Sequence, residues 1–402
     1  MNTIRVFTLF SGYESQLMAL MVLKNEYPQY NFELVGWCEI DDAAVRSHNA
    51  AFPQYANYEG KRKCHHKDVT KIDWDTVPDF DLLFYSSCCQ SLSLTGAMEG
   101  MEKGSGTQSS LIWHTLDGIK GKKPKYCILE NVKNIISKTF LPSFIDWMRA
   151  VDAEGYHSAA KVLNSSDFGI PQNRERLFMV SIRDDIKQVF QFPKPVKMTK
   201  SIEDLFEKSV DERYYHSHQE VVKYLLALSG KQVDESLVAI GEPTGGVLRQ
   251  QMASLTCKCR NGAAVIPTLK ATGYGFGTYK NFYTTGYYPQ VAVLEVWQKE
   301  TSTSIYYKGI IEGSTCVEKN ISNANRKAIL DVVKRLQPTQ YLRLRNMTPR
   351  EQFRFMGVRE EYIEKLLKTG NKDRELYKQA GNSIVVDVLY HLFSSLLVEK
   401  AN

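Results

Sequence analysis

Residues 84–96, FYSSCCQSLSLTG, place two adjacent cysteines directly after a short apolar run. That run, residues 80–85 (FDLLFY), is typical of a buried strand, and the small polar residues that follow it predict a turn. A cysteine at the carboxyl end of a strand lies where α/β folds carry their reactive groups. The spacing alone leaves two interpretations of Cys89 open, a nucleophile or a buried core thiol, because free cysteine is among the most buried residue types.

This strand belongs to a series that alternates with helices between residues 4 and 183. An alternating βαβα order is characteristic of parallel sheets with right-handed crossover connections. The sequence therefore predicts a doubly wound α/β fold with a mostly parallel, Rossmann-like sheet. Strands are predicted at 5–10, 33–40, 81–86, 126–130, 159–163 and 176–182, and helices at 16–27, 43–51, 110–119 and 141–153.

Regular patterning is weaker between residues 185 and 340, which include the stretch 270–288, KATGYGFGTYKNFYTTGYY. Interleaved basic and aromatic residues suit nucleic-acid contact, although an ordinary β-rich loop region has the same composition. A helix start then follows, with Thr348 as its cap and Pro349 in its first turn, and a last helix is predicted at 384–398. We predict a first domain of residues 1–184, completed by 341–402, and a smaller, loop-rich second domain of residues 185–340.

The composition is that of an ordinary globular protein. With 402 residues, 43% of them hydrophobic, the chain can bury a large core, and its net charge of +6 permits a polyanionic partner without proving one. Neither Cys257-x-Cys259 nor Cys64-His65-His66 has a second pair at zinc-site spacing, so no metal site is predicted. We interpret the eight cysteines as reduced and intracellular. No signal peptide or membrane span is predicted, since apolar runs such as 17–23 are far too short.

Three features at strand ends predict a nucleoside-like cofactor. Gly12 follows the first strand, where a tight turn can bring backbone close to a ligand, although a plain turn would also need glycine. Glu39 ends the second strand, where its carboxylate can accept bonds from ribose hydroxyls, unless it caps the next helix as Asp41 or Asp42 equally could. Asp68-Val69 is a third contact, suited to an adenine amino group. No GxGxxG motif is present, so a pyrophosphate site is not predicted.

Two further segments carry charged residues suited to chemistry. Glu130 ends a strand among apolar neighbours, which predicts a raised pKa and a carboxyl group that donates a proton near neutrality. A helix cap is the alternative for Glu130. Arg174 and Arg176 are two residues apart on an extended segment, so their side chains face one side and can hold a phosphate, a carboxylate or a base edge. A surface ion pair with Glu175 is the alternative there.

Taken together and in this order, these segments resemble the cytosine-C5 DNA methyltransferases, and the resemblance covers the whole chain. The matching segments are Phe10-Ser11-Gly12 for the cofactor turn, Glu39 for the ribose-binding acid, Asp68-Val69 for the adenine pair, Cys89-Gln90 for the nucleophile loop, Glu130-Asn131-Val132 for ENV, Gln172-Asn173-Arg174-Glu175-Arg176 for QxRxR, Thr268-Leu269 for the target-recognition region, and Thr348-Pro349-Arg350-Glu351 and Gly381-Asn382-Ser383 for two late motifs.

The resemblance implies a mechanism and a set of binding residues. S-adenosyl-L-methionine would be the methyl donor, and the substrate would be a cytosine flipped out of double-stranded DNA. Cys89 would be the nucleophile, Glu130 would act at the base N3, and Arg176 with Arg174 nearby would hold the base O2 and a phosphate. The resemblance places the cofactor on Phe10, Gly12, Tyr13, Glu39, Ile40, Asp68, Val69, Asn382 and Ser383, and DNA contacts on Gln90, Thr268 and Leu269.

The resemblance also implies a cellular setting. The expected protein is a monomer in the cytoplasm, encoded by a prokaryote or a phage, in some cases with a cognate restriction endonuclease. Three departures from the family pattern stand out. Cys88 replaces the usual proline before the nucleophile, Glu14-Ser15 replaces small glycines in the cofactor turn, and an insertion is expected around 276–334.

Three alternative functions remain open at this level. A tRNA cytosine-C5 methyltransferase shares the expected fold and chemistry, although a sizeable recognition domain favours duplex DNA. A DNA-binding homologue with impaired catalysis would account for Cys88 and Glu14. A modified sulfonium donor is the third alternative, since the departures touch the cofactor turn.

Overall fold

The computed structural model describes residues 2–56, 64–87, 92, 100–217, 248–254, 258–260, 263–267, 292–298 and 340–398. The described strands are β1 (Asn2–Leu9), β2 (Tyr30–Cys38), β3 (His65–His66), β4 (Leu82–Tyr85), β5 (Tyr126–Val132), β6 (Tyr156–Asn164), β7 (Gln172–Asn173), β8 (Glu175–Arg183), β9 (Leu248–Ser254), β10 (Lys258–Arg260), β11 (Ala263–Pro267), β12 (Ala292–Gln298) and β13 (Gln340–Asn346). The described α-helices are α1 (Ser15–Glu26), α2 (Asp42–Ala51), α3 (Thr115–Lys122), α4 (Leu141–Asp152), α5 (Pro349–Phe355), α6 (Glu360–Leu367), α7 (Asp373–Asn382) and α8 (Val386–Leu397).

The chain divides into two compact units, Met1–Thr199 with Phe353–Asn402, and Lys200–Gln352. The first unit contains a seven-stranded sheet in the order β3-β2-β1-β4-β5-β8-β6. Neighbours from β3 to β5 are parallel, whereas β8 is antiparallel to both β5 and β6. The predicted doubly wound, mostly parallel α/β fold is thus confirmed. The antiparallel pairs arise because residues 165–174, between β6 and β8, are too few for a parallel crossover.

Successive side chains of the central strands point to opposite faces of this sheet, and both faces are covered by helices. Phe7, Leu83 and Leu129 belong to the cluster of buried residues that also contains Phe144 and Trp147 of α4. Residues at the next positions point to the opposite face. There the ring of Phe84 contacts Phe393 of α8 edge-on, with centroids 6.1 Å apart. Helices therefore pack on both sides of the strands that carry the site.

The helix predicted at 110–119 is partly wrong. The structure has a 3₁₀ helix at Gln108–His114, and the α-helix begins only at Thr115. Thr107 caps the 3₁₀ segment by accepting the N–H of Ser110 at 3.1 Å. The indole of Trp113 donates to the carbonyl of Met101 at 2.9 Å. This long-range bond fixes the segment in a way that local periodicity does not reveal.

One helical stretch within the described residues, Asp373–Leu397, is long and apolar enough by length and composition to cross a membrane. It comprises α7 and α8, and the side chains of Leu389, Leu392 and Phe393 on α8 are fully buried. Helix α8 packs against α1, which is itself buried on most sides. A helix in the interior of a protein meets the same criterion, because it too is apolar all round.

The second unit contains a sheet in which β12 is antiparallel to both β9 and β13, and a pair β10–β11 that is also antiparallel. Within this unit Arg345 and Glu351 form a fully buried ion pair, with N···O distances of 2.7 and 2.8 Å. Thr348 accepts the N–H of Glu351 at 3.2 Å, so the predicted cap of α5 is confirmed. The sequence placed the domain limits at 184 and 340, and the role of this unit in target recognition stays a prediction.

Candidate active site

The carboxyl ends of β1, β2, β4 and β5 surround a pocket of about 420 Å³ in the first unit. The strand order reverses between β1 and β4, and ligands of open α/β sheets bind at such a reversal. The junction between α7 and α8 forms another wall. The pocket lining includes these residues from the sequence predictions: Phe10, Gly12, Tyr13, Glu39, Ile40, Asp68, Val69, Glu130, Arg174, Arg176, Asn382 and Ser383.

The turn between β1 and α1 (residues 10–14) alternates in backbone conformation. Phe10, Gly12 and Glu14 have φ angles of 56°, 58° and 70°, all in the left-handed region that favours glycine. Ser11 donates its N–H to the carbonyl of Cys38 at 3.0 Å, which ties the turn to the end of β2. A Cβ atom at Gly12 would meet nothing within 4 Å. The turn therefore leaves its backbone open to the pocket.

The carboxylate of Glu39 is held by backbone groups on both oxygens. Gly12 donates its N–H to Oε2 and Asp41 donates to Oε1, each at 2.8 Å. Burial outweighs these bonds and raises the pKa of Glu39 above its ordinary value. The cap of α2 is Asp41, which accepts the N–H groups of Ala43 and Ala44. Glu39 is therefore not the cap of α2; its carboxylate is fixed at the pocket instead.

The outer wall of the pocket combines apolar and acidic groups. Ile40 is 66% exposed, which is unusual for a large apolar side chain, whereas Val69 is buried. Asp68 accepts the N–H and the hydroxyl of Thr70 at 3.0 and 2.8 Å. These bonds hold the pKa of Asp68 below its ordinary value, so the side chain is a carboxylate. Its contact with an adenine ring stays a prediction.

The last motif reaches the pocket through the junction between α7 and α8. Tyr13 donates its hydroxyl to the Oγ of Ser383 at 2.6 Å, and that Oγ in turn donates to the carbonyl of Ala380 at 3.1 Å. Asn382 is exposed at the pocket edge. The first turn and the last motif are therefore joined directly, and their shared role in binding the cofactor stays a prediction.

Glu130 and Arg176 form an ion pair in the pocket. Arg176 Nε lies 3.3 Å from Glu130 Oε1, and both side chains are largely buried. Burial raises the pKa of Glu130 above its ordinary value, more than the charges of Arg176 and Arg174 lower it. Glu130 lies inside β5 and does not begin a helix. Glu175 instead forms an ion pair with Lys133 at 3.1 Å. The alternative of a surface ion pair between Glu175 and Arg174 or Arg176 is therefore not supported.

Arg174 has a different environment from Arg176. It is 3% exposed, and its Nη2 donates to the carbonyls of Gly381 and Ser383 at 2.8 and 2.6 Å. This guanidinium therefore fastens the edge of the sheet to the α7–α8 junction. Its predicted contact with the base or a phosphate stays a prediction.

Cys89, Gln90, Thr268 and Leu269 lie outside the described residues, as does Cys88. The two ends of the 88–91 segment are nevertheless fixed. Asn131 donates to the carbonyl and the Oγ of Ser87 at 3.2 and 3.1 Å. Asn134 donates to the carbonyl of Leu92 at 2.6 Å. The described residues on either side of 88–91 are thus bonded to Asn131 and Asn134, which follow Glu130 in the chain.

Two contributors to the pocket were missed by sequence reasoning. Lys378, on α7, forms an ion pair with Asp41 at 2.6 Å on the rim of the pocket. Ser87 lines the pocket at the end of β4. The quoted motif around Ser383 begins only a few residues after Lys378, but nothing local connects Lys378 to Asp41. Among the described residues, no group of three His, Cys, Asp or Glu side chains is arranged to hold a metal ion.

Comparisons with known proteins indicate a family for this chain. A family model for the C-5 cytosine-specific DNA methylases matches residues 4–397. The type II methyltransferase M2.ScrFI of Lactococcus lactis subsp. cremoris is 29% identical over 439 aligned positions, which cover 98% of this chain and 99% of that protein. The orphan methyltransferase M.SPRI of Bacillus phage SPR is 28% identical over 463 positions, which cover 99% and 98%.

Solved structures show the same architecture. The Dnmt2 methyltransferase of S. pombe superposes with a TM-score of 0.57 and 17% identity over 98% of both chains. A prophage-encoded putative DNA modification methyltransferase from E. coli gives 0.54 and 15%, again over 98% of both. At these identities the likeness concerns the fold alone. The match of the family model over nearly all of the chain shows more: this protein belongs to the C-5 cytosine-specific DNA methylase family.

Proposed function

We propose that this protein transfers a methyl group from S-adenosyl-L-methionine to C5 of a cytosine flipped out of a specific double-stranded DNA sequence, through a covalent adduct on Cys89. The observation that carries the proposal is the buried Glu130–Arg176 pair, which shares one pocket with Glu39 and the β1–α1 turn. That pocket offers a proton donor for a pyrimidine beside groups suited to a nucleoside. The type II names of the relatives support a sequence-specific DNA substrate.

The residues of the pocket fit the cofactor. A volume of about 420 Å³ lies in the range of small-molecule sites. Glu39, already held by two backbone N–H groups, presents a carboxylate for ribose hydroxyls, and the exposed Ile40 offers an apolar surface for a base. Gly12 lets the backbone approach closely. When bound, the cofactor supplies an electrophilic methyl group on a sulfonium sulfur.

Cys89 would overcome the low reactivity of cytosine C5. C5 belongs to an aromatic ring and is a poor nucleophile, but addition of the Cys89 thiolate to C6 breaks the aromaticity and leaves C5 enamine-like. The bonds at Ser87 and Leu92 support this role, because they are made by Asn131 and Asn134, which follow Glu130 closely in the chain.

Glu130 would hold the proton that this addition requires. Its raised pKa favours the protonated carboxyl group, which can donate to N3 of the base and draw electrons away from C6 as the thiolate adds. Arg176, 3.3 Å from Glu130, would hold the base O2, and Arg174 would position the surrounding wall. Once C5 carries the methyl group, its proton would pass to solvent, N3 would return its proton to Glu130, and the Cys89–C6 bond would break to give the thiolate and 5-methylcytosine.

The partner proposed is duplex DNA, bound by a monomer in the cytoplasm of a bacterial or phage-infected cell. Flipping a base out of the duplex costs a few kcal/mol, which contacts in the pocket would offset. Base-edge contacts are proposed for the second unit, including Thr268 and Leu269, with Gln90 reaching the DNA from the nucleophile segment. In a type II system, a cognate restriction endonuclease would share the target sequence.

The proposal is tested by methyl transfer from labelled S-adenosylmethionine to unmethylated duplex DNA, with wild type, Cys89→Ser and Cys88→Ala compared. We expect label at cytosine C5 from wild type and from Cys88→Ala, and none from Cys89→Ser. A stable adduct with 5-fluorocytosine DNA should form in the same two proteins. Transfer to tRNA and not to duplex DNA would assign the substrate differently. Tight DNA binding without transfer would identify a catalytically impaired homologue.

A further inference from the structure

Glu14 occupies a position in the β1–α1 turn that suits glycine better. Its φ of 70° places a side chain in the left-handed region, which is unfavourable for a residue with a Cβ atom. The side chain is also completely buried, and burial of a carboxyl group is unfavourable unless it is bonded or neutral. Two unfavourable features at one residue require compensation by its contacts.

The contacts of Glu14 point into the protein, beneath the turn. Thr8 of β1 donates its hydroxyl to Glu14 Oε1 at 2.5 Å. The Nε2 of His48 on α2 lies 3.9 Å from the same oxygen, and both side chains are 0% exposed. Glu14 Oε2 and His48 Nε2 have no hydrogen-bond partner in the described part of the chain. The carboxyl group is therefore held between β1 and α2.

The surroundings of this carboxyl group favour its neutral form. Burial raises the pKa of Glu14 to about 8, and the bond from Thr8 lowers it by less, while the charge of Glu39 adds to the increase. The imidazole of His48 stacks on Trp37 with centroids 3.6 Å apart, and burial lowers its pKa to about 3. On the other side of Trp37 lies the ring of His65.

Backbone bonds transmit the position of Glu14 to the pocket. Its N–H donates to the carbonyl of Ser11 at 3.0 Å, and its carbonyl accepts the N–H of Met18 at 3.1 Å in the first turn of α1. Within the loop so closed, Gly12 donates its N–H to Glu39 Oε2. Tyr13, next to Glu14, reaches Ser383. Movement at Glu14 would thus displace both contacts.

We propose that Glu14 is the positioning residue of the β1–α1 turn: its buried carboxyl group, held by Thr8 against His48, fixes the left-handed backbone and so places Gly12, Tyr13 and Glu39 for the cofactor. The proposal rests on the function proposed above, in which this pocket binds S-adenosylmethionine. Glu14 itself does not line the pocket and touches no reacting atom.

The test uses the full chain with Glu14→Gln, Glu14→Ala and Glu14→Gly. Equilibrium binding of S-adenosylmethionine and of S-adenosylhomocysteine is measured by calorimetry, and the KM for cofactor, the KM for DNA and kcat are measured separately. Gln keeps the shape and an acceptor for Thr8, so binding should stay within about threefold of wild type. Ala removes the buried bond to Thr8 and frees the turn, so it should weaken cofactor binding by about tenfold or more, which corresponds to about 1.4 kcal/mol. The KM for DNA should not change.

Glu14→Gly separates the side chain from the backbone. Glycine relieves the left-handed conformation but removes the carboxyl group, so we expect weakened cofactor binding in this variant also. If Glu14→Gly binds the cofactor as wild type does, the backbone conformation alone is sufficient and the proposal is wrong. Cofactor binding by a folded Glu14→Ala protein that equals wild type would overturn it as well.

Two further measurements keep the test decisive. Hydrogen exchange of the ligand-free protein should show faster exchange of the Gly12 amide in Glu14→Ala, with unchanged protection in β5. If the other variants do not fold, Thr8→Val serves as a milder test, and it should weaken cofactor binding by about threefold. A wild-type protein that binds neither cofactor form would contradict the proposed function, whereas normal binding by wild type and variants alike would contradict only the role of Glu14.

Discussion

The hydroxyl of Tyr13 donates to the Oγ of Ser383 at 2.6 Å and so joins two residues that lie 370 positions apart in the chain. Tyr13 follows the first strand and Ser383 precedes the last helix. Arg174 adds two further bonds at this wall, to the carbonyls of Gly381 and Ser383. The wall of the pocket is therefore built from both ends of the chain.

Tyr13→Phe should weaken cofactor binding by about fivefold, because it removes one buried hydrogen bond worth about 1 kcal/mol. Tyr156→Phe is a matched control, since its buried hydroxyl donates to the carbonyl of Pro124 at 2.7 Å and Tyr156 does not line the pocket. Both variants should lose similar stability in urea, but only Tyr13→Phe should raise the Kd for the cofactor. Equal Kd values in the two variants would argue against a role for the Tyr13–Ser383 bond in the pocket.

Asn131→Ala should slow formation of the covalent adduct with 5-fluorocytosine DNA by about tenfold or more. The change removes both bonds to Ser87 and so releases one end of the segment that carries Cys89. Cofactor affinity, measured in the same preparation, should stay within about twofold of wild type. Asn134→Ala releases Leu92 at the other end and should give a smaller effect in the same direction. A loss of cofactor affinity that matches the loss of adduct would show a general disturbance of the pocket.

Arg176→Gln should move the alkaline limb of the methyl-transfer pH profile to higher pH. The charge of Arg176 lowers the pKa of Glu130 against the effect of burial, so its removal raises that pKa further. Protonated Glu130 then persists at higher pH, even though the maximum rate falls with loss of a contact to the base. Single-turnover rates of methyl transfer, measured against pH at saturating DNA and cofactor, give the position of this alkaline limb. Lys133→Gln, which removes a charge paired with Glu175, should leave the limb unchanged.

Glu14→Gln should flatten the dependence of the free energy of unfolding on pH between about 6.5 and 8. Burial raises the pKa of Glu14 from 4.5 to about 8, so between these values the native state keeps a proton that the unfolded chain releases. The stability contributed by the neutral carboxyl group is thus complete below pH 4.5 and is lost as pH rises toward 8, by about 1.4 kcal/mol per pH unit.

His48 has the opposite effect at lower pH. Its pKa is lowered from 6.5 to about 3, so the unfolded chain binds a proton that the native state does not, and stability falls as pH decreases below 6.5. Between about 4.5 and 6.5 the two slopes cancel. Urea titrations across pH 4–9 should show that Glu14→Gln loses less stability above pH 6.5 than the wild type does. The variant should also lose stability as pH falls below 6.5, where the two slopes of the wild type cancel. If the free energy of unfolding falls equally with pH above 6.5 in wild type and in Glu14→Gln, the loss of stability does not arise from Glu14.

Arg345→Met should lower the free energy of unfolding of the second unit by roughly 3–5 kcal/mol, because it leaves the buried carboxylate of Glu351 without its cation. The double variant Arg345→Met, Glu351→Leu should recover much of this loss, since no buried charge remains. Arg343→Met is the control, because its partner Glu212 is exposed and their surface pair contributes little. Urea denaturation of the three variants measures the difference. A double variant no more stable than Arg345→Met would contradict this explanation.

The sequence predicted most of the first unit because periodicity and strand-end residues are local signals. Helix α4, predicted at 141–153, is observed at Leu141–Asp152, and the predicted strand at 176–182 is β8 at Glu175–Arg183. Strand direction was less accessible, since an apolar pattern is the same whichever way a strand runs. The antiparallel placement of β8 follows from the short connection at residues 165–174. That connection becomes informative only once β6 is known to pair with β8.

The candidate site was predictable as a set of residues but not as a set of contacts. Glu39 and Glu130 were identified from their positions at strand ends, and both line the pocket. The bond of Arg174 to Gly381 and the ion pair of Lys378 with Asp41 are long-range, so no local pattern contains them. Glu14 was recognised as a departure from the usual glycine, and its φ of 70° gives the physical reason for that preference. Its burial against His48 required the structure.

The contribution of both chain ends to the pocket has a consequence for biosynthesis. On the ribosome, β1 and the turn after it emerge first, whereas Ser383 is translated 370 residues after Tyr13. Domains fold as units during synthesis, so a nascent chain holds the β1–α1 turn without the wall that completes the pocket until Ser383 has been translated. The pocket can therefore be completed only after 370 further residues have followed Tyr13.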